Sequence, residues 1–191
     1  MRLSLPLPRN VAVTGHNELL LLELTEPLAP DRLQQRLDDT LPVGLDIHKL
    51  FYVAPSGSSV PVWASYRLTL GNSADLVALS RRIEQFLNAE QWNIHRPARK
   101  RHPARTFDLR PDITQLSLEN NTIMCTITVG NGPTARIDEL IAALQIDVHG
   151  IVRHIDRIDV GYPLEISRLE HDIKTSHKTK KPCPPIEAEY Q

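Results

Sequence analysis

The stretch from His95 to Pro111, HRPARKRHPARTFDLRP, sets Arg96, Arg99, Lys100, Arg101, Arg105 and Arg110 against one acid, Asp108. The chain as a whole is close to neutral, with a formal charge of −1 at pH 7, so this positive charge is gathered locally. Like charges in one run repel each other, and a surface that keeps them usually meets an anion, most often phosphate. Five of the six bases are Arg, whose planar fork can pair two phosphate oxygens at once, where Lys offers a point charge. The stretch is read as an anion-binding element. A loop whose charges only keep it solvated is the competing expectation.

Asp108 has two possible chemical roles: orienting Arg105 or Arg110 toward a ligand, or acting as a catalytic carboxylate. A structural salt bridge is the simpler account and the one preferred, since ion-pair networks perturb acids as often as active sites do. Arg136 closes the segment Gly130–Arg136 ahead of a helix, where N-terminal amides could hold a phosphate. That segment lacks the glycines of a dinucleotide or P-loop fingerprint and reads more simply as a turn.

Other chemistries find little support. Of the eight histidines, His48 shares a strand face with Asp46, His149 and His154 flank a strand start, and His171 and His177 precede Cys183 in the tail. None has a ligand spacing with a second pair to close a metal site, so no metal is expected. The Ser56–Ser59 loop lacks the context of a nucleophile elbow. Cys125 alternates with Ile123 and Ile127 on a strand and is expected in the core, while Cys183 lies in a Pro-rich tail, so a disulfide is not expected. With no paired cysteines in sequence, no iron–sulfur cluster or dithiol centre can be built, and no cofactor is expected.

The elements that must carry the basic stretch are legible from periodicity. Glu18–Thr25 is an apolar run read as a strand, and Pro30–Thr40 is an amphipathic helix with Leu33 and Leu37 one turn apart. Leu45–Val53 and Trp63–Leu70 read as strands. Ser73–Glu90 is a helix with Leu76, Leu79, Ile83 and Phe86 on one stripe and Ser73 as its cap. Trp92–Ile94 begins an extended segment. Pro97, Pro103 and Pro111 each disfavour helix at the preceding residue, which makes 96–105 an extended loop entering a strand at Thr106. Gln115–Glu119, a turn at Asn120-Asn121, the alternating strand Thr122–Val129, a helix over Ile137–Leu144 and a strand over Arg153–Val160 follow.

This order gives an α+β expectation: a ferredoxin-like βαββαβ core over 1–95, then a second β-β-α-β half over 106–165 that extends the sheet. Residues 166–191 are Lys- and Pro-rich without periodicity and are expected to be a disordered tail. No apolar run spans a bilayer and no leader opens the chain, so a cytoplasmic protein is expected.

Several short segments in joint order carry a resemblance. They are Arg2-Leu-Ser-Leu-Pro-Leu-Pro8, Glu18 with its apolar run, Glu26-Pro-Leu28, Ala64-Ser-Tyr66, Thr106-Phe-Asp-Leu-Arg-Pro111, and Arg136 with Glu139-Leu-Ile141 and Leu144. Over about residues 1–165 the chain resembles the radical-SAM-linked protein family, found in bacteria fused to or encoded beside radical S-adenosylmethionine enzymes. The resemblance implies an accessory role. The chain has no CxxxCxxC motif, so radical chemistry would belong to a separate polypeptide. Joined to the basic loop, this gives a non-catalytic module that binds RNA, either tRNA or rRNA, and presents it to a radical SAM enzyme in trans. The alternatives are a protein-interaction module that docks on that enzyme without RNA, and an RNA-modifying enzyme using Asp108. Base stacking would draw on Tyr52, Trp63, Tyr66, Trp92 and Phe107, of which Tyr66 is expected to face the core.

Overall fold

Alternation in Trp63–Leu70 and Thr122–Thr128 turns every second side chain toward one layer of helices, and the sheet is built outward from these two strands. The computed structural model describes residues 2–7, 12–26, 28–48, 50–52, 60–98, 103–130, 132–162 and 169–170. In chain order the elements are β1 (Arg2–Ser4), β2 (Thr14–Gly15), β3 (Leu21–Glu23), α1 (Pro30–Thr40), β4 (Phe51–Tyr52), β5 (Trp63–Leu70), α2 (Leu76–Asn88), β6 (Asn93–Arg96) and β7 (Arg105–Asp108). A 3-10 turn (Arg110–Asp112) then leads to β8 (Ile113–Glu119), β9 (Thr122–Thr128), α3 (Ile137–Ala143), β10 (Val152–Gly161) and β11 (Leu169–Glu170). The protein is α+β, with three α-helices and a mixed five-stranded sheet among the described residues.

The chain forms two units, one of Ser4–Leu21 with Ser58–Leu164 and a smaller one of Met1–Leu3, Leu22–Gly57 and Glu165–Gln191. In the larger unit the sheet runs β2-β10-β5-β9-β8, parallel between β2 and β10 and antiparallel elsewhere. Its core joins Ala64, Tyr66, Leu68 and Leu70 of β5 and Ile123, Cys125 and Ile127 of β9 to Leu79, Ile83 and Phe86 of α2 and Leu140 and Ile141 of α3. Cys125 is buried as expected, and burial pushes its thiol up to about 12. In the smaller unit α1 starts with Pro30 at its first turn and buries Leu33, while β1 pairs with β3 and β4 with β11.

The cap of α2 is Asp75 rather than Ser73: its Oδ1 accepts the Ala78 N–H at 3.0 Å, satisfying one of the orphan amides of the first turn. At the far end of α3, Arg82 of α2 donates to the carbonyls of Leu144 and Gln145 at 3.5 and 3.3 Å, which ties the two helices together. Asn120 takes φ of +53° in the β8–β9 turn, a left-handed conformation that Asn tolerates through its short polar side chain.

Two expectations need adjusting. The ends of the segment 96–105 belong to paired strands: β6 continues to Arg96, β7 resumes at Arg105, and those two residues face each other in register. Alternation of Ile94 with Arg96 and of Arg105 with Phe107 sustains the pairing up to the prolines. Second, β3, β4, β5 and β6 do not share a sheet; they lie in four separate ones. β5 pairs instead with β9 and β10, which are seven and ten residues long, against three for β3 and two for β4. A longer alternating face buries more of β5's apolar side. The sequence β5-α2-β8-β9-α3-β10 thus surrounds the inserted β6–β7 hairpin, in spatial order β10-β5-β9-β8. The expected tail lies outside the described residues apart from Leu169 and Glu170.

Candidate anion-binding cleft

The β6–β7 hairpin delivers its basic residues to different ends. Arg96 is buried, and its Nε and Nη2 each donate to one oxygen of Glu139 at 2.6 Å, with Nη2 also bonded to the Thr134 carbonyl at 2.6 Å. Its guanidinium lies 3.8 Å from the centre of the Phe107 ring. This is a bidentate, stacked ion pair that fastens the hairpin to α3. Glu139 also accepts the backbone N–H of Arg136 at 3.0 Å, and Asp112 accepts that of Ala135 at 2.7 Å. The amides ahead of α3, one expected place for a phosphate, are therefore already engaged by carboxylates.

Arg110 and Asp108 work at the opposite end of the hairpin. Arg110 donates to the carbonyls of Leu87 and Ile113 at 3.1 and 3.3 Å, tying the end of α2 to β8. Asp108 Oδ1 accepts the backbone N–H groups of Trp92 and Arg110 at 2.8 and 3.0 Å, closing the base of the hairpin. Among the described residues its hydrogen-bond partners are those two amides.

Arg105 and Arg136 remain. Both are exposed. They line one cleft of about 300 Å³ together with Ile94, His95, Arg96, Pro97, Pro103, Asp138, Glu139 and Ala142. Pro97 and Pro103 flank the stretch of Arg99, Lys100 and Arg101, which lies outside the described residues. With Arg96 and Glu139 neutralising each other, the cleft offers two guanidinium forks beside one acid, Asp138. Its volume is at the small end for a ligand pocket and suits a phosphate with part of what it is attached to.

Three of the candidate rings pack inside the fold, while Trp63 lies half-exposed over Gly161. Trp92 sits against Phe86 with centroids 5.1 Å apart, Tyr66 is buried, Phe107 lies under Arg96, and a Cβ on Gly161 would fall 2.1 Å from the Trp63 ring. The Tyr52 side chain lies outside the described residues.

Sequence reasoning missed a second cluster, on the sheet. Asp156 and Arg157 are adjacent in β10 and pair with Arg67 and Tyr66 of β5, so they face opposite sides. Asp156 Oδ2 accepts Arg67 Nε and Nη2 at 3.1 and 2.9 Å, and Oδ1 lies 2.8 Å from His154 Nε2 and 3.4 Å from His16 Nε2. Burial pushes the Asp156 carboxyl up, but the Arg67 bonds, the His154 charge and the His16 contact outweigh it and hold it below the usual carboxylate value. On the other face Arg157 donates through Nε to Glu18 at 2.6 Å and through Nη2 to Glu18 and to the Leu7 carbonyl. The one sequence signal for either centre is an Asp-Arg pair inside an apolar strand, Ile155 to Val160.

A family model described as "Uncharacterized protein conserved in bacteria (DUF2344)" matches residues 1–138. It takes in the hairpin, Arg136 and Asp138, and stops before Glu139 and β10. No curated protein and no solved structure matches the chain.

Proposed function

We propose that this chain, which belongs to the DUF2344 family of proteins conserved in bacteria, is a non-catalytic module that grips the phosphate backbone of RNA and presents it to a radical SAM enzyme encoded separately. The observation that carries the reading is the pair of exposed arginines, Arg105 and Arg136, on one cleft with Pro97 and Pro103, which flank the basic stretch. Two exposed guanidinium forks at a shared concavity are what phosphate recognition requires. The order β5-α2-β8-β9-α3-β10 supports a ferredoxin-like scaffold, with boundaries at residues 63–161 rather than 1–95. The sequence resemblance supports the radical enzyme as partner. The commitment of Tyr66, Trp92 and Phe107 to packing favours backbone contact over base stacking. Asp108 does not line the cleft and is bound by two amides, which counts against its use as a catalytic carboxylate.

The test is binding of a folded tRNA to the full chain by fluorescence anisotropy at several salt concentrations. Affinity should fall steeply with salt, and Arg105→Ala with Arg136→Ala should each flatten the log–log slope by about one unit. Absence of RNA binding at low salt, or binding untouched by both substitutions, overturns the reading. Capture of a radical SAM enzyme without RNA would place the chain among docking modules instead.

A further inference from the structure

On the face of the sheet that carries Arg67, one carboxylate is ringed by three basic side chains. Asp156 is 4% exposed, whereas Arg67, His16 and His154 are 46%, 51% and 51% exposed. The carboxylate lies at the bottom, with the bases half in water at its rim. They come from all three strands meeting there: His16 follows β2, Arg67 is on β5, and His154 and Asp156 are on β10. With both imidazoles neutral the group carries no net charge, because Arg67 cancels Asp156. With both protonated it gains two positive charges that Asp156, already matched by Arg67, does not offset; Asp159, in register with Ser65 on the same face, is a further acid beside the group. Each imidazole turns Nε2 to Asp156, which leaves Nδ1 as the nitrogen able to meet a further ligand. A divalent cation does not suit the place, since both carboxylate oxygens are engaged and a guanidinium stands 2.9 Å from one of them. An anion does.

We infer that His16, Arg67 and His154 form a second anion site, taking a phosphodiester group when the two histidines are protonated. Ser65, two residues from Arg67 on the same face, bonds to the Thr126 hydroxyl at 2.8 Å, and Thr126 bonds to Gln115 at 3.2 Å. This row of hydroxyl and amide groups, with the Asp159 carboxylate opposite Ser65 at its β10 end, suits the sugars of a strand whose phosphate is held by the bases. The site does not depend on the cleft.

The probe is a uridine dinucleotide, whose one phosphodiester keeps the same charge from pH 5.5 to 8. Binding to the full chain is followed by titration calorimetry and by the imidazole resonances in NMR. Affinity should be about tenfold or more higher at pH 5.5 than at pH 8, as expected for two added charges within contact range, with the His16 and His154 signals moving on binding. The double variant His16→Gln, His154→Gln keeps an N–H donor toward Asp156 but cannot gain charge, so it should fold normally and lose the acid-dependent component. In a chain carrying Arg105→Ala and Arg136→Ala that component should persist. Equal affinity at the two pH values, no loss in the double Gln variant, or response to sulfate but not to the dinucleotide overturns the inference.

Discussion

Asp156 and Arg157 are neighbours in one strand, both nearly inaccessible, and they settle their charges in opposite ways. Arg157 is closed: both oxygens of Glu18, the Leu7 carbonyl and the adjacent Tyr66 meet it in the interior. Asp156 is closed only on its own side; its partners reach into solvent with donor capacity to spare. A balanced, largely enclosed pair has nothing to give a ligand and serves to hold Leu7 and Glu18 against the sheet. An enclosed charge with half-exposed partners can trade them for something else. The cleft repeats the lesson, with Arg96 and Glu139 closed and Arg105 and Arg136 open.

The largest expected effect separates the two faces. Glu18→Gln leaves Arg157 buried beside a neutral amide and should cost about 3–5 kcal/mol in denaturant unfolding. Asp156→Asn should cost about 1–2 kcal/mol, because Arg67, His16 and His154 can turn to water. Equal costs would erase the distinction. A smaller effect is the acid response. The folded Asp156 carboxyl is held below its usual value, so its contribution is complete above the unfolded carboxylate pKa of about 3.9 and is lost as pH falls through the lower, folded value. The unfolding midpoint of the parent should therefore drop more steeply than that of Asp156→Asn below about pH 4. The smallest signal sharpens the comparison without altering it. Cys125, opposite Tyr66 on the closed face, has its thiol pushed up to about 12 by burial, so it should resist a thiol reagent at pH 8 in the folded chain and label faster in Glu18→Gln. Site-resolved mass spectrometry distinguishes it from Cys183.

Much of the frame was readable because it rests on local pattern. β5, β9, α2 and α3 follow from two-residue or 3.6-residue alternation, and the hairpin turn from Asn120 and Asn121. Glu18–Thr25 shows where local pattern fails: it reads as one strand, yet only Leu21–Glu23 is, because Glu18 is taken by an arginine 139 residues away. The same long reach decided the basic stretch. Arg96 finds Glu139 43 residues on, so its charge is consumed inside the fold, and nothing within HRPARKRHPARTFDLRP reveals which arginine meets that fate. The Asp156 group draws on positions 16, 67 and 154, and no spacing rule connects them.

The strand from Val152 to Gly161 lies second in the sheet, bridging Thr14–Gly15 to Trp63–Leu70. A fragment cut at the limit of the family match, after residue 138, would strip both Glu18 and Arg67 of their counter-charges in one stroke and leave the amino-terminal strand with no neighbour in that sheet. The natural unit for expression, mutagenesis or crystallisation therefore runs beyond the region by which the family is identified.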